Sequence, residues 1–262
     1  MRVGIVVPVL NNFSQALDFI SSARSQEHEL VFLIQPQYRE KVALAKAWNT
    51  GIRQAWDRSC DCVIVSNDDV LFAPDTIDKW VAESQQLPQD VVLTVPSDAS
   101  KYFEDPYDIV ESRGKTFELT FEAEMDFSCF MVRPGFQKLC GWFDENFYPC
   151  WWEDIDMDYR ISLLGIRWHR VHAPFIHLGH QTTNRLGRSA SAALSEAYFV
   201  QKWGSLNRFE PQSFKTPYND SEMSPTDWIE GYMEGYVLPR RPIRVVARRA
   251  FAYLKRRLLN GK

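Results

Sequence analysis

The chain has 262 residues and a net charge of −4, and its 45% apolar and 14% aromatic residues can fill one large core or a core with an appendage. No apolar run approaches the length of a membrane-spanning helix, which excludes a protein that crosses a bilayer. The five cysteines show neither metal-ligand spacing nor a C-x-x-C pair, and their odd number, with no N-terminal signal peptide, predicts a reducing cytosol.

Short apolar runs alternate with amphipathic segments over the first hundred residues. The predicted strands are 2–8, 29–34, 62–66 and 91–95, and the predicted helices are 14–24, 41–56 and 76–85. Such alternation predicts a parallel α/β sheet that is open to ligands at the carboxyl ends of its strands.

The second hundred residues are less regular. Residues 104–124 are polar and irregular, which predicts a loop or a hairpin with a strand at 115–122. The further predicted elements are strands at 127–132 and 166–171 and helices at 136–141, 153–164 and 184–198. Gly165 is predicted to cap the carboxyl end of the acidic helix.

The C-terminal segment, residues 240–262, is strongly basic. It carries nine basic side chains and no acidic one, which leaves residues 1–239 with a balance of −13. On a helical wheel its apolar and basic residues fall on opposite faces, which is typical of a helix that lies in the headgroup plane of an anionic membrane. A helix packed on its own domain, or an oligomer contact, is the alternative interpretation.

Two acidic motifs each follow an apolar or aromatic run. Four carboxylates lie between residues 153 and 158, directly after two tryptophans, and Ser66-Asn67-Asp68-Asp69 ends a predicted strand. Acidic residues also favour the first turn of any helix, where they complement its dipole. Because crowding and burial shift carboxylate pKa values, two such clusters together indicate a site.

The order of these motifs resembles the family-two inverting glycosyltransferases of the GT-A fold, from residue 3 to about residue 203. The matching segments are the opening strand 3–11, the helix 45–55, the strand with acid motif 63–70 followed by Pro74, Phe143-x-x-x-Phe147-Tyr148, Glu153-Asp154-x-Asp156-x-x-x-Arg160-x-x-x-x-Gly165 and Ile176-His177-x-Gly179.

The resemblance implies an α/β, GT-A-type nucleotide-sugar-binding fold, with a mostly parallel central sheet flanked by helices and a C-terminal helical extension. Residues 1–205 would form the glycosyltransferase domain, with a nucleotide-binding half (1–100) and an acceptor half (101–205). Residues 206–262 would form the extension that ends in the basic amphipathic helix.

The function that the resemblance implies is metal-dependent, inverting sugar transfer in polysaccharide or glycolipid synthesis. The donor would be a UDP-, dTDP- or GDP-linked sugar, and the acceptor a glycan or a lipid-linked molecule. The expected location is the cytoplasm, with peripheral attachment to the inner face of the membrane, and no nucleic-acid partner is expected.

The resemblance also assigns roles to particular residues. Asp69 and His177 would hold Mn²⁺ or Mg²⁺, which suits carboxylate, imidazole and water ligands. Asp154 would be the general base that takes the proton of the acceptor hydroxyl. The acceptor-binding residues would be Trp151, Trp152 and Glu153. The donor-binding residues would be Pro8, Leu10, Gln35, Lys46, Asn49 and Asp68.

The chain departs from the family pattern at two positions. Asn67 takes the first place of the acid motif, where Asp is common, and Gln35 replaces an Asp that contacts the nucleotide base. A Gln amide both donates and accepts hydrogen bonds, so it can still read a uracil or thymine edge. Asp156 lies one helical turn before Arg160, and this spacing predicts a structural ion pair.

Two other functions stay open from the sequence. One is a catalytically silent domain of this fold that binds a sugar nucleotide or a glycan. The other is a nucleotidyltransferase, which shares the sheet and the carboxylates. The latter usually has a glycine-rich loop with a basic residue after the first strand, and Val9-Leu10-Asn11-Asn12 has neither.

Overall fold

A seven-stranded mixed sheet forms the centre of the fold in the computed structural model. The structure describes residues 1–10, 13–37, 42–115, 117–118, 125, 127–179 and 188–203, with the backbone alone at 188–191, 193 and 194. The strands are β1 (Arg2–Val9), β2 (Glu29–Pro36), β3 (Cys62–Ser66), β4 (Val70–Phe72), β5 (Leu93–Asp98), β6 (Cys129–Val132) and β7 (Trp168–His177).

The strands lie in the order β2-β1-β3-β6-β5-β7-β4. Strands β1, β2, β3, β5 and β7 run in one direction, and β6 and β4 run in the other. The predicted α/β class with a mostly parallel sheet is therefore confirmed. Strand β4 was not predicted, because it has only three residues and follows the acid motif without a break.

Six α-helices flank the sheet within the described residues. They are α1 (Phe13–Ser22), α2 (Leu44–Asp57), α3 (Thr76–Gln86), α4 (Phe136–Cys140), α5 (Glu153–Leu164) and α6 (Arg188–Trp203). Two short 3₁₀ helices occupy Ser100–Tyr102 and Pro106–Glu111. The predicted cap of α5 is confirmed, since Gly165 has a left-handed φ of 62°.

Each face of the sheet buries its own apolar cluster, because successive side chains of a strand point to opposite faces. On one face Val6 of β1 packs with Trp48 and Ile52 of α2. Helix α2 lies so close to β1 that a Cβ on Gly51 would come within 2.2 Å of a Val6 methyl group. On the other face Phe19 of α1 and Trp80 of α3 fill the second cluster.

A third cluster joins helices α5 and α6. It contains Phe147, Tyr159, Tyr198, Phe199 and Trp203, all buried. Helix α5 starts next to the carboxyl ends of the central strands, so this packing fixes the acidic motif against the sheet.

The two predicted halves of the domain share the one sheet. Strand β6 of the second half lies between β3 and β5 of the first half. Most of the predicted strand 115–122, the first residues of the predicted helix 184–198 and the extension 206–262 lie outside the described residues. None of the helices in the described part of the chain is long and apolar enough to cross a membrane.

Candidate functional site

A cavity of about 240 Å³ opens at the carboxyl ends of β1 and β3. Its walls come from the end of β1, the start of α2, the acid motif after β3, the turn before α5 with the first residues of that helix, and the end of β7. The carboxyl ends of parallel strands are the usual place for a ligand in an open α/β sheet, so this cavity is the candidate site.

The acid motif and the end of β7 meet in this cavity. Strand β4 pairs with β7 so that Val70 faces His177, and the Leu178 N–H donates to the Asp69 carbonyl at 2.8 Å. These contacts bring His177 Nε2 to 3.2 Å from Asp69 Oδ1. Two residues more than a hundred positions apart in sequence thus present an imidazole and a carboxylate side by side.

The spacing of these two atoms fits a shared divalent cation. Two ligands at about 2.1 Å from an octahedral ion, at right angles to each other, lie about 3 Å apart. Within the described residues no group of three or more His, Cys, Asp or Glu side chains is arranged to hold a metal ion. The pair therefore fits an ion that takes its remaining ligands from water and substrate oxygens, as Mg²⁺ and Mn²⁺ do with phosphates.

The turn before α5 has an unusual backbone. Trp151 and Trp152 are consecutive non-glycine residues with left-handed φ values of 81° and 73°, after a cis Tyr148-Pro149 peptide bond. Each such residue costs about 1–3 kcal/mol, and such strain is concentrated at functional sites. The Pro149 carbonyl accepts from the Leu44 N–H at 2.9 Å, so the first residue of α2 anchors the turn.

The first two residues of α5 both line the cavity, and they differ in exposure. Glu153 is 3% exposed, whereas Asp154 is half-buried. Burial, followed by the charges of Asp154 and Asp156, raises the pKa of Glu153 well above its ordinary value. Asp154 keeps access to solvent, and its Oδ1 accepts from the Ile155 N–H at 2.8 Å. Two adjacent carboxyl groups in the cavity thus differ in their exposure to solvent.

An ion network lies behind the cavity and holds α5 in place. Asp156 pairs with Arg160 at 3.0 Å, which confirms the predicted ion pair. Lys202 of α6 lies 2.6 Å from Asp156 and 2.8 Å from Asp144, with all of these side chains buried. Burial alone would raise the pKa of Asp144, but the Lys202 charge and its hydrogen bond bring that pKa below the ordinary value.

The structure brings eight of the twelve predicted site residues together. The cavity is lined by Pro8, Leu10, Asp68, Asp69, Trp151, Glu153, Asp154 and His177. The acid-motif carboxylates are 7% and 6% exposed, at Asp68 and Asp69 respectively. The metal, base and acceptor assignments therefore fall on neighbouring walls of one space, and their roles stay predictions.

The other four predicted residues lie outside the cavity lining. Gln35 Nε2 donates to Gln54 Oε1 at 2.8 Å, toward α2. Asn49 is completely buried, and its amide bonds the Phe143 carbonyl at 2.8 Å and the Phe143 N–H at 3.1 Å. Lys46 is exposed on α2, and the Trp152 ring packs on Phe199 with 5.0 Å between centroids.

Several lining residues were missed from the sequence. They include Gln37, Trp48, Phe127, Ser128 and Cys150. Gln37 follows the last residue of β2, Pro36, and belongs to none of the motifs that marked the site. Trp48 has the helical spacing of a core residue in the predicted helix 41–56, and nothing in the sequence shows that this face also borders a cavity.

Comparison with known proteins gives a distant sequence relative and a set of weak structural likenesses. No protein-family model matches the chain. A "Galactofuranosyl glycosyltransferase" of Leishmania donovani is 25% identical over 239 aligned residues, which cover 71% of this chain. The chain spans about half the length of that relative, 52%.

Two solved structures illustrate the likenesses in fold. A Drosophila β-1,4-galactosyltransferase 7 mutant in complex with manganese, UDP-Gal and xylobiose has a TM-score of 0.49 and 16% identity, covering 70% of this chain and 73% of the other. Glucosyl-3-phosphoglycerate synthase from Mycobacterium tuberculosis, with Mg²⁺ and UDP, has a TM-score of 0.45 and 12% identity, covering 76% and 78%.

Proposed function

We propose that this chain is a GT-A-type glycosyltransferase that moves a sugar from a nucleotide-diphosphate donor to a hydroxyl group of a glycan or lipid-linked acceptor, with inversion. The observation that carries the proposal is the single cavity that joins the Asp69–His177 pair to Asp154. The order of the sequence motifs and the distant relationship to a galactofuranosyl glycosyltransferase support the same reaction class.

The proposed chemistry divides the cavity into a leaving-group side and an attacking side. Asp69 and His177 would hold a divalent cation, which would supply positive charge to stabilise the departing diphosphate. Asp154 accepts the proton of the acceptor hydroxyl as its oxygen bonds to the anomeric carbon. The bond from that carbon to the diphosphate oxygen breaks on the opposite face, so the configuration inverts.

The donor is proposed to be a UDP-, dTDP- or GDP-sugar, and UDP-galactofuranose is the first to test because the distant relative is a galactofuranosyl glycosyltransferase. A thermal-shift screen of nucleotide-sugars with and without Mn²⁺ identifies the donor. Metal-dependent stabilisation by one nucleotide-sugar supports the proposal. Stabilisation without any transfer would indicate instead the catalytically silent binding domain.

The metal assignment is tested with Asp69→Asn. Titration calorimetry with UDP in Mn²⁺ should show strong binding to the wild-type protein and loss of the metal-dependent part in the variant. Asp57→Asn removes the same charge from an exposed position at the end of α2 and should bind UDP normally. Unchanged affinity in Asp69→Asn would show that the cation, if required, is held elsewhere.

Attachment to an anionic membrane is proposed from the sequence of residues 240–262, which lie outside the described residues. Each basic residue near such a surface contributes about 1 kcal/mol at most. Co-sedimentation with vesicles that contain an anionic lipid compares the full chain with a chain ending at Pro239. Equal sedimentation, or binding by the full chain that does not respond to salt, would exclude the membrane role.

A further inference from the structure

Trp48 differs from the other tryptophans that are buried to the same degree. Trp80 Nε1 donates to Thr94 Oγ1 at 2.8 Å, and Trp203 Nε1 donates to Asp156 Oδ1 at 2.8 Å. Trp48 is only 2% exposed, yet its Nε1 has no hydrogen-bond partner among the described residues. Since buried donors are nearly always paired, this N–H calls for a partner that is not part of the described protein.

The position of Trp48 restricts where that partner can be. Its ring packs edge-on against Phe130 and Phe143, with centroid distances of 5.4 and 4.9 Å. Helix α2 itself lies tight against β1 through Gly51, which keeps the backbone of Trp48 close to the sheet. The open side of the residue is the cavity that it lines.

Glu153 presents a second polar atom of this kind in the same cavity. Its Oε2 is buried and has no hydrogen-bond partner within the described part of the chain. Burial and the neighbouring Asp154 charge raise the pKa of this carboxyl group, which favours the neutral acid, with one O–H donor and one carbonyl acceptor. The indole offers a donor only.

A neutral polyol is the ligand class that satisfies both groups. A sugar hydroxyl can accept from the indole N–H and can either donate to or accept from the carboxyl group. Leu10, Val42 and Leu44 line the same cavity and offer apolar contacts to the C–H face of a ring. A charged ligand group would find no compensating charge on these three side chains.

We propose that Trp48 and Glu153 hydrogen-bond hydroxyl groups of the transferred sugar, so that Trp48 helps to determine which donor sugar is accepted. This inference rests on the proposed function. The donor sugar must span the space between the diphosphate at Asp69 and the base at Asp154. Trp48 and Glu153 are buried lining residues of that cavity, whereas Asp154, the residue proposed to meet the acceptor, is half-buried.

The test compares Trp48→Phe with Trp80→Phe, a matched loss of a buried indole N–H in the opposite cluster. Calorimetry in Mn²⁺ measures the affinity of UDP and of four donors: UDP-galactofuranose, UDP-galactose, UDP-glucose and UDP-N-acetylglucosamine. The measured quantity is the ratio of the affinity of the best UDP-sugar to that of UDP. Trp48→Phe should lower this ratio about fivefold or more, the effect of one lost buried hydrogen bond, with UDP affinity unchanged.

The control should behave in the opposite way. Trp80→Phe should lower the melting temperature, because Thr94 loses its donor, and should leave the affinity ratio unchanged. Two Glu153 variants sharpen the result: Glu153→Gln keeps a neutral donor and acceptor and should retain most of the ratio, whereas Glu153→Leu should lose it.

Three outcomes would overturn the inference. An unchanged ratio in Trp48→Phe, or a ratio that is no greater than one for all four sugars in the wild type, would show that the pair does not hold the donor sugar. An equal loss for UDP and UDP-sugar would assign Trp48 to the nucleotide or to the fold. If the wild-type protein binds neither UDP nor dTDP nor GDP in Mn²⁺, the proposed function itself is contradicted.

Discussion

The two sides of helix α5 carry carboxylates in opposite electrostatic settings. On one side Asp156 pairs with both Arg160 and Lys202, and Lys202 also pairs with Asp144. Two carboxylates are thus balanced by two positive charges. On the other side Glu153 and Asp154 share a cavity with Asp68, Asp69 and a histidine, and none of its described lining residues is Lys or Arg. The compensated side joins α5 to α6, whereas the cavity side has an excess of acidic over basic residues in its described lining.

The contrast explains why the same short motif has both structural and functional residues. Buried charges cost several kcal/mol unless they are paired and hydrogen-bonded, and the Asp156 group meets that condition with protein partners alone. In the cavity, burial and the neighbouring Asp154 charge instead raise the pKa of Glu153. If the division is real, changes on the cavity side should alter the rate, and changes on the network side should alter stability.

The largest effect is expected from Asp154→Asn. An amide cannot take the hydroxyl proton, so transfer should fall by roughly 10²–10⁴ while donor binding is retained. Single-turnover transfer from the donor identified in the Mn²⁺ screen measures the rate. The melting temperature should hardly change, because the amide has nearly the same shape as the carboxyl group and its Oδ1 can still accept from the Ile155 N–H.

Asp158→Asn is the matched control for this prediction. It removes the same charge from the same helix at a residue outside the described cavity lining. Transfer by this variant should stay close to that of the wild type. Near-normal turnover in Asp154→Asn would move the base to another group, and Glu153 is the next candidate.

The second prediction concerns the buried ion pairs that Lys202 makes behind the cavity. Lys202→Met leaves Asp144 and Asp156 without their shared cation, and removing one partner of a buried pair typically costs about 3–5 kcal/mol. Lys79→Met breaks the exposed pair with Asp75 instead and should cost less than about 1 kcal/mol. Urea unfolding of the three proteins gives the difference directly.

The pH dependence identifies the mechanism of that loss. The pKa of Asp144 is lowered in the folded protein, so its contribution to stability is present above the pKa of the unfolded chain and is lost as pH falls. The difference in the free energy of unfolding between the wild type and Lys202→Met should therefore become smaller at acid pH. If this difference does not change as the pH falls, the loss of stability comes from packing and not from charge.

Sequence patterns predicted one side of this comparison better than the other. The motif positions of Asp69, His177 and Asp154 were enough to place them together, because each ends or begins a regular element next to the same sheet edge. Lys202 was missed, since its partner Asp144 lies 58 positions away and no local pattern joins them. Asn49 lies in the matching helix and Gln35 stands where the family has Asp, yet contacts with Phe143 and with α2 occupy their amide groups.

The smallest effect concerns Glu153, whose pKa is raised by burial first and then by Asp154 and Asp156. A carboxyl group of this kind binds its proton more tightly in the folded protein than in the unfolded chain. Its contribution to stability is therefore complete below the unfolded pKa and is lost as pH rises toward the folded value, by at most about 1.4 kcal/mol per pH unit. Glu153→Gln has no proton to lose, so its stability relative to the wild type should rise with pH above about 4.5.

Unfolding free energies of both proteins from pH 4 to 8 measure this difference. When the same comparison is made in proteins that also carry Asp154→Asn, the rise in relative stability with pH should be smaller but still present, because burial is the larger cause of the raised pKa. A difference that does not vary with pH would mean that Glu153 ionises normally and that the cavity already balances its charge.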